Sequence, residues 1–561
     1  MKQISNLYYI FYPFLKLKNK DKSIFLSIVL FSLFVIFLDM TTLSILTLIF
    51  FENGNEITSK TNKFLEIFFN KSKLPISYFH FQILIIAFSL LFRNIFYLMQ
   101  DYLIKSFVFN QYNINSKKLF KLYASSELIK FYKKGIDYYL KNLNKETWYC
   151  YLGILYGLLY ISIDTIYFLI IIFTGIYLIN IDFSINLIFS AFAFIFLISI
   201  VLIKLKKKGV DRVNYEQKYY KDTLNILKSY LEIKIYKKIK FFTDSYSNYL
   251  KKFSKAMVFQ GVANLFPKAI IEFIIAIVLV YYLIYNDLGL NLELFTLVGF
   301  ILFRIGPVLA RIMQNISLII FYFPSSKILI NENKSYSLNI SRSSKRVISD
   351  NIKSLTLANA SFSYGNKKII RNFNYKFTKN NIYGMYGESG KGKTTLLMLL
   401  SGLVKLDRGE YKINNINYAN KKIDWGKKLG FMSQNHVLID DSLSNSLFLD
   451  ENIDYNLIKE ARKYLIKFNL NKFVKLLNKK YDGQYSLGGM LSGGEKQRLS
   501  IIRTILLGGE LLFFDEPTSF LDKVNEKIIL SEFQKLRQNK IIIISTHKKD
   551  LESFFDKIIK L

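Results

Sequence analysis

Asn381-Ile382-Tyr383-Gly384-Met385-Tyr386-Gly387-Glu388-Ser389-Gly390-Lys391-Gly392-Lys393-Thr394-Thr395-Leu396-Leu397-Met398-Leu399-Leu400 reads as a strand, a glycine-rich turn and a helix in immediate succession. Residues 387–394 match the pattern GxxxxGK[ST], in the strand–turn–helix context the pattern requires. Gly387, Gly390 and Gly392 let backbone N–H groups close around phosphate oxygens, and the helix start adds the positive end of its dipole. Glu388, Ser389, Lys391 and Thr395 fill the rest of the loop and the first helical turn. Lys393 is the residue to reach the β- and γ-phosphates, and the Thr394 hydroxyl the one to ligate Mg²⁺. A chance glycine-rich turn is the competing reading, and the flanks argue against it.

Downstream, Leu511-Leu512-Phe513-Phe514-Asp515-Glu516 is an apolar strand ending in two acids. Asp515 suits Mg²⁺ binding, directly or through water, and Glu516 suits the general base that polarises an attacking water. A buried strand running into a surface turn would explain the same residues. That alternative weakens because Pro517-Thr518-Ser519-Phe520-Leu521-Asp522 follows. Leu491-Ser492-Gly493-Gly494-Glu495-Lys496-Gln497-Arg498 is more specific. It resembles the LSGGQ signature of ATP-binding-cassette (ABC) ATPases, and the chain looks like an ABC transporter. The resemblance implies ATP and Mg²⁺ as cofactors. It assigns Ser492, Gly493 and Gly494 to the γ-phosphate across a dimer interface, and Tyr364 to adenine stacking. It makes Gln434 a Mg²⁺ contact that also faces the membrane domain, Asp522 the D-loop acid and His547 the histidine that holds the γ-phosphate. Two positions depart from the family pattern: Phe520 stands where exporters usually have Ala, and Gln484–Gly489 lacks the usual acid, with Ser486 near its place. Because the family's site is composite, one copy of each half implies a dimer, and intact motifs favour a homodimer.

The remainder of the chain is apolar. Of 561 residues, 51% are hydrophobic and 16% aromatic, with only 6 Pro, which excludes disordered and collagen-like classes. A single Cys and three His exclude a disulfide scaffold and a multi-Cys zinc site. Six apolar runs, about 24–51, 78–104, 148–180, 183–204, 258–286 and 291–323, are each long enough to cross a hydrocarbon core of about 30 Å. Residues 105–146 carry nine Lys and 204–257 fifteen Lys+Arg, whereas 52–76 has four Lys and the other two short loops none. This asymmetry places both large loops and both termini in the cytoplasm. It also accounts for much of the net charge of +35 without nucleic acid. The Ser- and Asn-rich stretch 326–350 reads as a linker. From about 351 short β-rich runs alternate with helical ones. The expected fold class is a helical membrane domain of the ABC exporter type with six transmembrane helices (1–325), followed by an α/β P-loop NTPase domain (351–561).

Ionisable residues in the spans cost at least about 2.5–3.5 kcal/mol at mid-bilayer, so each must face a cavity or a partner. They are Asp39, Arg93, Asp164, Lys268, Glu272, Arg304 and Arg311. Arg304 and Arg311 are two helical turns apart on one face. Lys268 and Glu272 are spaced to pair with each other. Internal pairing is one reading and an anion-binding cavity the other. Phe303-Arg304-Ile305-Gly306-Pro307-Val308-Leu309-Ala310-Arg311, Pro267-Lys268 and Arg93 look like bacterial flippases of lipid-linked oligosaccharides (the PglK type). That resemblance implies that Arg93, Lys268, Arg304 and Arg311 meet a pyrophosphate-linked glycan, and that Phe64–Phe69 belongs to an external helix touching the lipid tail; a simple surface helix is the other reading of that stretch. Export of a peptide, lipid or drug is the alternative. The expected setting is a bacterial inner membrane, with a second copy as partner, a membrane lipid or lipid-linked glycan as substrate, and no nucleic acid.

Overall fold

The computed structural model describes residues 2–50, 66–67, 69–71, 77–179, 185–285, 292–341, 345–348, 350–388, 390–419, 421–439, 441–450, 453–477 and 491–561. The expected external helix (64–69), Ser389 and the acid-lacking stretch 484–489 therefore lie wholly or partly outside the described residues. The chain forms two compact units, Met1–Ser126 with Phe131–Ser337, and Glu127–Lys130 with Leu338–Leu561.

The first unit is helical: α1 (Lys2–Leu15), α2 (Asn19–Phe50), α3 (Tyr78–Ala124), α4 (Leu128–Lys134), α5 (Ile136–Lys141), α6 (Tyr156–Ile179), α7 (Ile185–Lys228), α8 (Tyr230–Tyr236), α9 (Ile239–Tyr285) and α10 (Leu292–Ser341). Wider π-type turns, Asn142–Glu146 and Tyr149–Leu155, lead into α6. Among the described residues, segments of α2, α3, α6, α9 and α10 are long and apolar enough to cross a membrane. The apolar N-terminal part of α7 falls where side chains are not described. Helices α3 and α9 each run 47 residues. At about 1.5 Å per residue that is ~70 Å, more than twice the hydrocarbon core. The two basic loops expected from the sequence are thus largely extensions of the long helices. Helix α7 meets α10 closely at Gly209, where a Cβ would stand 2.3 Å from the Phe321 carbonyl oxygen. Nearby, Arg212 is fully buried, ion-paired to Glu216 (3.0 Å) and Glu146 (3.3 Å), and lies 4.1 Å from the Tyr149 ring centroid.

The polar stretch expected to be a linker is helical as far as Ser341. Leu329 and Ile330 are buried, Ser325 accepts a hydrogen bond from Arg212 (2.7 Å), and Lys134 pairs with Glu332 (2.6 Å). Packing on one face overrides the weak helix preference of Ser and Asn.

The second unit holds β1 (Lys345–Val347), β2 (Ser354–Tyr364), β3 (Lys367–Thr378), β4 (Asn381–Tyr386), α11 (Lys393–Leu400), β5 (Arg408–Ile413), β6 (Ile416–Asn417), β7 (Lys422–Asp424), β8 (Leu429–Met432), α12 (Leu443–Phe448), α13 (Tyr455–Lys467), α14 (Gly493–Leu507), β9 (Leu511–Asp515), α15 (Lys523–Leu536), β10 (Ile541–Thr546) and β11 (Lys557–Lys560). A parallel sheet has the order β11-β4-β10-β9-β8, and an antiparallel one β3-β2-β5-β6. Strands β9 and β10 are buried throughout, which is why both read as unbroken apolar runs. The registers Thr546↔Tyr386 and Ser545↔Asp515 align the C-terminal ends of β4, β10 and β9. The phosphate-binding loop, His547 and Glu516 follow those three ends directly, at the edge where open α/β sheets bind ligands.

Candidate nucleotide site and membrane cavity

Gly392 caps α11 at φ 98, where a Cβ would also stand 2.7 Å from Ile369. Only glycine fits that backbone without strain. The turn places Lys393 inside the loop, where its Nζ donates to the carbonyls of Gly387 (2.6 Å) and Glu388 (3.2 Å). The Thr394 hydroxyl donates to Asp515 Oδ2 (2.6 Å). Asp515 is buried and also accepts from the Ser545 hydroxyl. Beside it, Glu516 takes φ 52, in the left-handed region, and its N–H donates to the Ser545 hydroxyl (3.0 Å). Its carboxylate accepts from Gln434 Nε2 (3.3 Å) and lies 3.5 Å from His547 Nδ1.

The structure thus brings Lys393, Thr394, Gln434, Asp515, Glu516 and His547 to one edge. A threonine hydroxyl, a glutamine amide oxygen and a carboxylate form a hard-oxygen set that fits Mg²⁺, and a glycine-lined turn with an inward lysine fits phosphates. Tyr364 ends β2 and is exposed, its ring edge-on to Phe362 (4.9 Å). Among the described residues no hydrogen bond joins Ser492, Gly493 or Gly494 to this loop. Ser492 instead forms a reciprocal cap with Glu495 at the start of α14. Asp522 caps α15 by accepting from the Asn525 N–H (2.7 Å), a bond that holds its carboxyl below the usual range.

Two residues escaped sequence reasoning. Buried Gln497 donates to the Glu516 carbonyl (3.0 Å) and accepts from the Phe520 N–H (3.0 Å), so it fixes the turn after Glu516. Ser545 bridges Asp515 and Glu516. A glutamine within the signature and a serine at the end of an Ile run were the available signals. The unusual Phe520 also has a local partner: it meets His436 edge-on (6.1 Å). Both border a cavity of about 480 Å³ with Gln434, Glu516 and Gly493.

In the helical unit a second cavity, about 260 Å³, is lined by residues of α2, α3, α6 and α10, including Asp39, Arg93, Asp164, Arg304 and Arg311. Arg93 Nη1 (2.7 Å) and Arg304 Nη2 (3.1 Å) both meet Asp39 Oδ1. Arg311 grips Asp164 through Nη2 (2.9 Å) and Nε (3.2 Å). Lys268 is absent from this lining and stands 3.7 Å from Glu272. Three of the four cations named from the sequence thus line this cavity, and Lys268 has the helical neighbour that its spacing offered.

A nucleotide-binding α/β unit follows a helical unit with membrane-crossing segments in one chain; the class is a membrane protein with a fused P-loop cassette. A profile of the ABC transporter family matches residues 370–519. A probable ABC transporter ATP-binding/permease protein of Haemophilus influenzae is 30% identical over 217 residues, covering 37% of this chain and 38% of that protein. The multidrug resistance-like protein MdlA of Buchnera aphidicola is 33% identical over 190 residues, 33% of this chain and 32% of that one. The energy-coupling factor transporter ATP-binding protein EcfA1 of Fusobacterium nucleatum is 34% identical over 203 residues, 35% of this chain and 74% of that protein. The aligned stretch spans about a third of the length of the first two relatives. A solved bacterial Atm1-family ABC exporter with ATP bound has the same fold, with TM-score 0.75 and 16% identity over 97% of this chain and 93% of that one. The chain belongs to the ABC transporter family, and its C-terminal unit is the family's ATP- and Mg²⁺-binding cassette.

Proposed function

We propose that this chain is one half of an ATP-driven, exporter-type transporter that works as a homodimer, its cassettes in the cytoplasm. The observation that carries the ATPase reading is the Thr394–Asp515 contact beside the Gln434–Glu516–His547 group, at the mouth of a glycine-rich loop. When bound, ATP supplies the anhydride bond and Mg²⁺ neutralises its phosphate charge. Lys393 binds phosphate once released from the loop carbonyls. Glu516 orients water and accepts its proton. Gln434 donates to Glu516 and holds it in place, and His547, 3.5 Å from the Glu516 carboxylate, would hold the γ-phosphate. Substituting Glu516 with Gln is expected to lower steady-state ATP hydrolysis by about 100-fold or more while nucleotide binding persists. Unchanged turnover would refute the assignment.

The dimer reading is supported by the separation of Ser492 from the phosphate-binding loop within one chain, which leaves the signature free to serve a second copy. For cargo, the cavity with three arginines and two aspartates favours an amphipathic molecule with an anionic head. A polyprenyl-pyrophosphate glycan, moved from the cytoplasmic to the outer leaflet of a bacterial inner membrane, is the preferred instance. Arg suits a pyrophosphate through paired N–H donors. Flipping of such a lipid in proteoliposomes should fall when Arg304 is replaced by Ala. Undiminished flipping would return the cargo to the wider class of peptides, lipids and drugs.

A further inference from the structure

The cavity's two carboxylates do different work. Arg311 holds Asp164 with a two-pronged grip, one cation to one anion, and the Asp164 side chain is almost fully buried (3% exposed). Arg311 is a third exposed and lines the same cavity, but its one charge is matched by one carboxylate. Asp39 is shared instead: Arg93 and Arg304, from different helices, converge on the same oxygen, Oδ1. Among the described residues, Asp39 is the only carboxylate within ion-pair distance of either arginine. Two guanidinium groups around one carboxylate leave the seat with one positive charge in excess. Both arginine side chains stay about a quarter exposed, towards the cavity, while Asp39 is buried behind them at 7%.

We infer that Asp39 is a resident counter-ion occupying the anion seat between Arg93 and Arg304, and that the cargo's head binds by taking its place. The inference rests on the anionic-cargo reading above and deepens it into a charge requirement. A head with a single negative charge exchanges one for one with the carboxylate and leaves Asp39 buried without a partner, which is unfavourable. A head with two or more charges meets both guanidinium groups and offsets that loss. A free phosphate monoester carries about 1.5 to 2 negative charges at pH 7 and falls on the diphosphate side of that divide. Asp39 thereby makes the seat selective for a diphosphate over a singly charged monophosphate diester. The Arg311–Asp164 pair positions α6 against α10 and takes no part in the exchange.

The test uses the full-length protein in nanodiscs and three probes: farnesyl diphosphate, farnesyl methyl phosphate (a monophosphate diester with one negative charge) and laurate. Wild-type protein should bind the diphosphate more tightly than the monophosphate. In Asp39→Asn the monophosphate should tighten by roughly tenfold, the scale of one charge-assisted contact, and the discrimination should shrink. If Asp39→Asn does not fold because two arginines face each other, Asp39→Asn combined with Arg93→Gln restores the original net charge of the seat. That double variant should bind the monophosphate better than wild type, again with reduced discrimination. A wild-type ratio of diphosphate to monophosphate in every folded variant overturns the inference. If neither phosphate lipid binds but laurate tightens on removal of Asp39, the counter-ion inference stands and the pyrophosphate cargo falls. If no probe of either class responds to the loss of Asp39, the inference is overturned.

Discussion

Glu516 occupies backbone space that costs a non-glycine residue of order 1–3 kcal/mol. It stays there because its N–H is held by Ser545 and its carbonyl by Gln497. Replacing Gln497 with Ala releases the turn while leaving every nucleotide ligand in place. ATP hydrolysis should fall by about tenfold or more with nucleotide affinity little changed, because a lost buried hydrogen bond is worth roughly 1–3 kcal/mol. A separate stability device sits at the other end of the same strand. Glu510 accepts from the Ile352 N–H (2.7 Å), Lys428 (3.0 Å) and Lys379 (2.9 Å). Burial alone would raise its carboxyl, but these partners outweigh burial and hold it below its ordinary value of 4.5. Its contribution is therefore complete above that value and is lost as pH falls through the depressed folded one. Glu510→Ala should destabilise the cassette by about 1–3 kcal/mol and flatten the acid limb of its stability profile. Thermal unfolding between pH 3 and 7, with hydrogen exchange at the Ile352 amide, measures both.

Among the elements, the long helices show why local composition misled. Residues 326–341 have a linker's composition, yet they continue α10 because Leu329 and Ile330 are buried and Glu332 is paired. Helix α7 depends on two neighbouring features. At Gly209 a Cβ would collide with the Phe321 carbonyl oxygen. Gly209→Val must push α7 from α10, at a cost of about 1–3 kcal/mol seen as a lower melting temperature in detergent. One turn on, Arg212 pairs with both Glu146 and Glu216 while stacking on Tyr149, and Lys141 supplies Glu146 with a second cation. Arg212→Ala leaves Glu216 without its cation and Glu146 with Lys141 alone (3.2 Å), and breaking such a buried pair costs about 3–5 kcal/mol. Lys should rescue poorly, since it lacks the planar fork. Equal melting temperatures for Arg212→Lys and wild type would contradict that account.

For the molecule as a whole, the proposed pairing of cassettes makes hydrolysis a property of two chains. Hydrolysis per chain should fall on dilution as the assembly dissociates, and native mass spectrometry should report two chains in the active species. Full turnover by a stable monomer would overturn the pairing. Ser492→Ala mixed with Lys393→Ala supplies a second measure: each variant alone is impaired, and a mixed pair retains one intact composite site, so part of the activity should return.

The nucleotide site was legible from the chain alone, because a phosphate-binding loop is built from consecutive backbone N–H groups and a helix start, and the acids follow the ends of apolar strands. Spacing along the chain carries that chemistry. The exceptions inside the site, Gln497 and Ser545, act on backbone groups 19 and 29 residues away, which no local pattern records. The membrane cavity was legible only as a set of expensive charges. Which charge answers which was decided by helix packing: Asp39 meets Arg93 across 54 residues, and Arg311 meets Asp164 across 147. Pairing energy depends on distance and burial in space, so tertiary structure alone separated a one-to-one ion pair from a shared one, and set Lys268 beside Glu272.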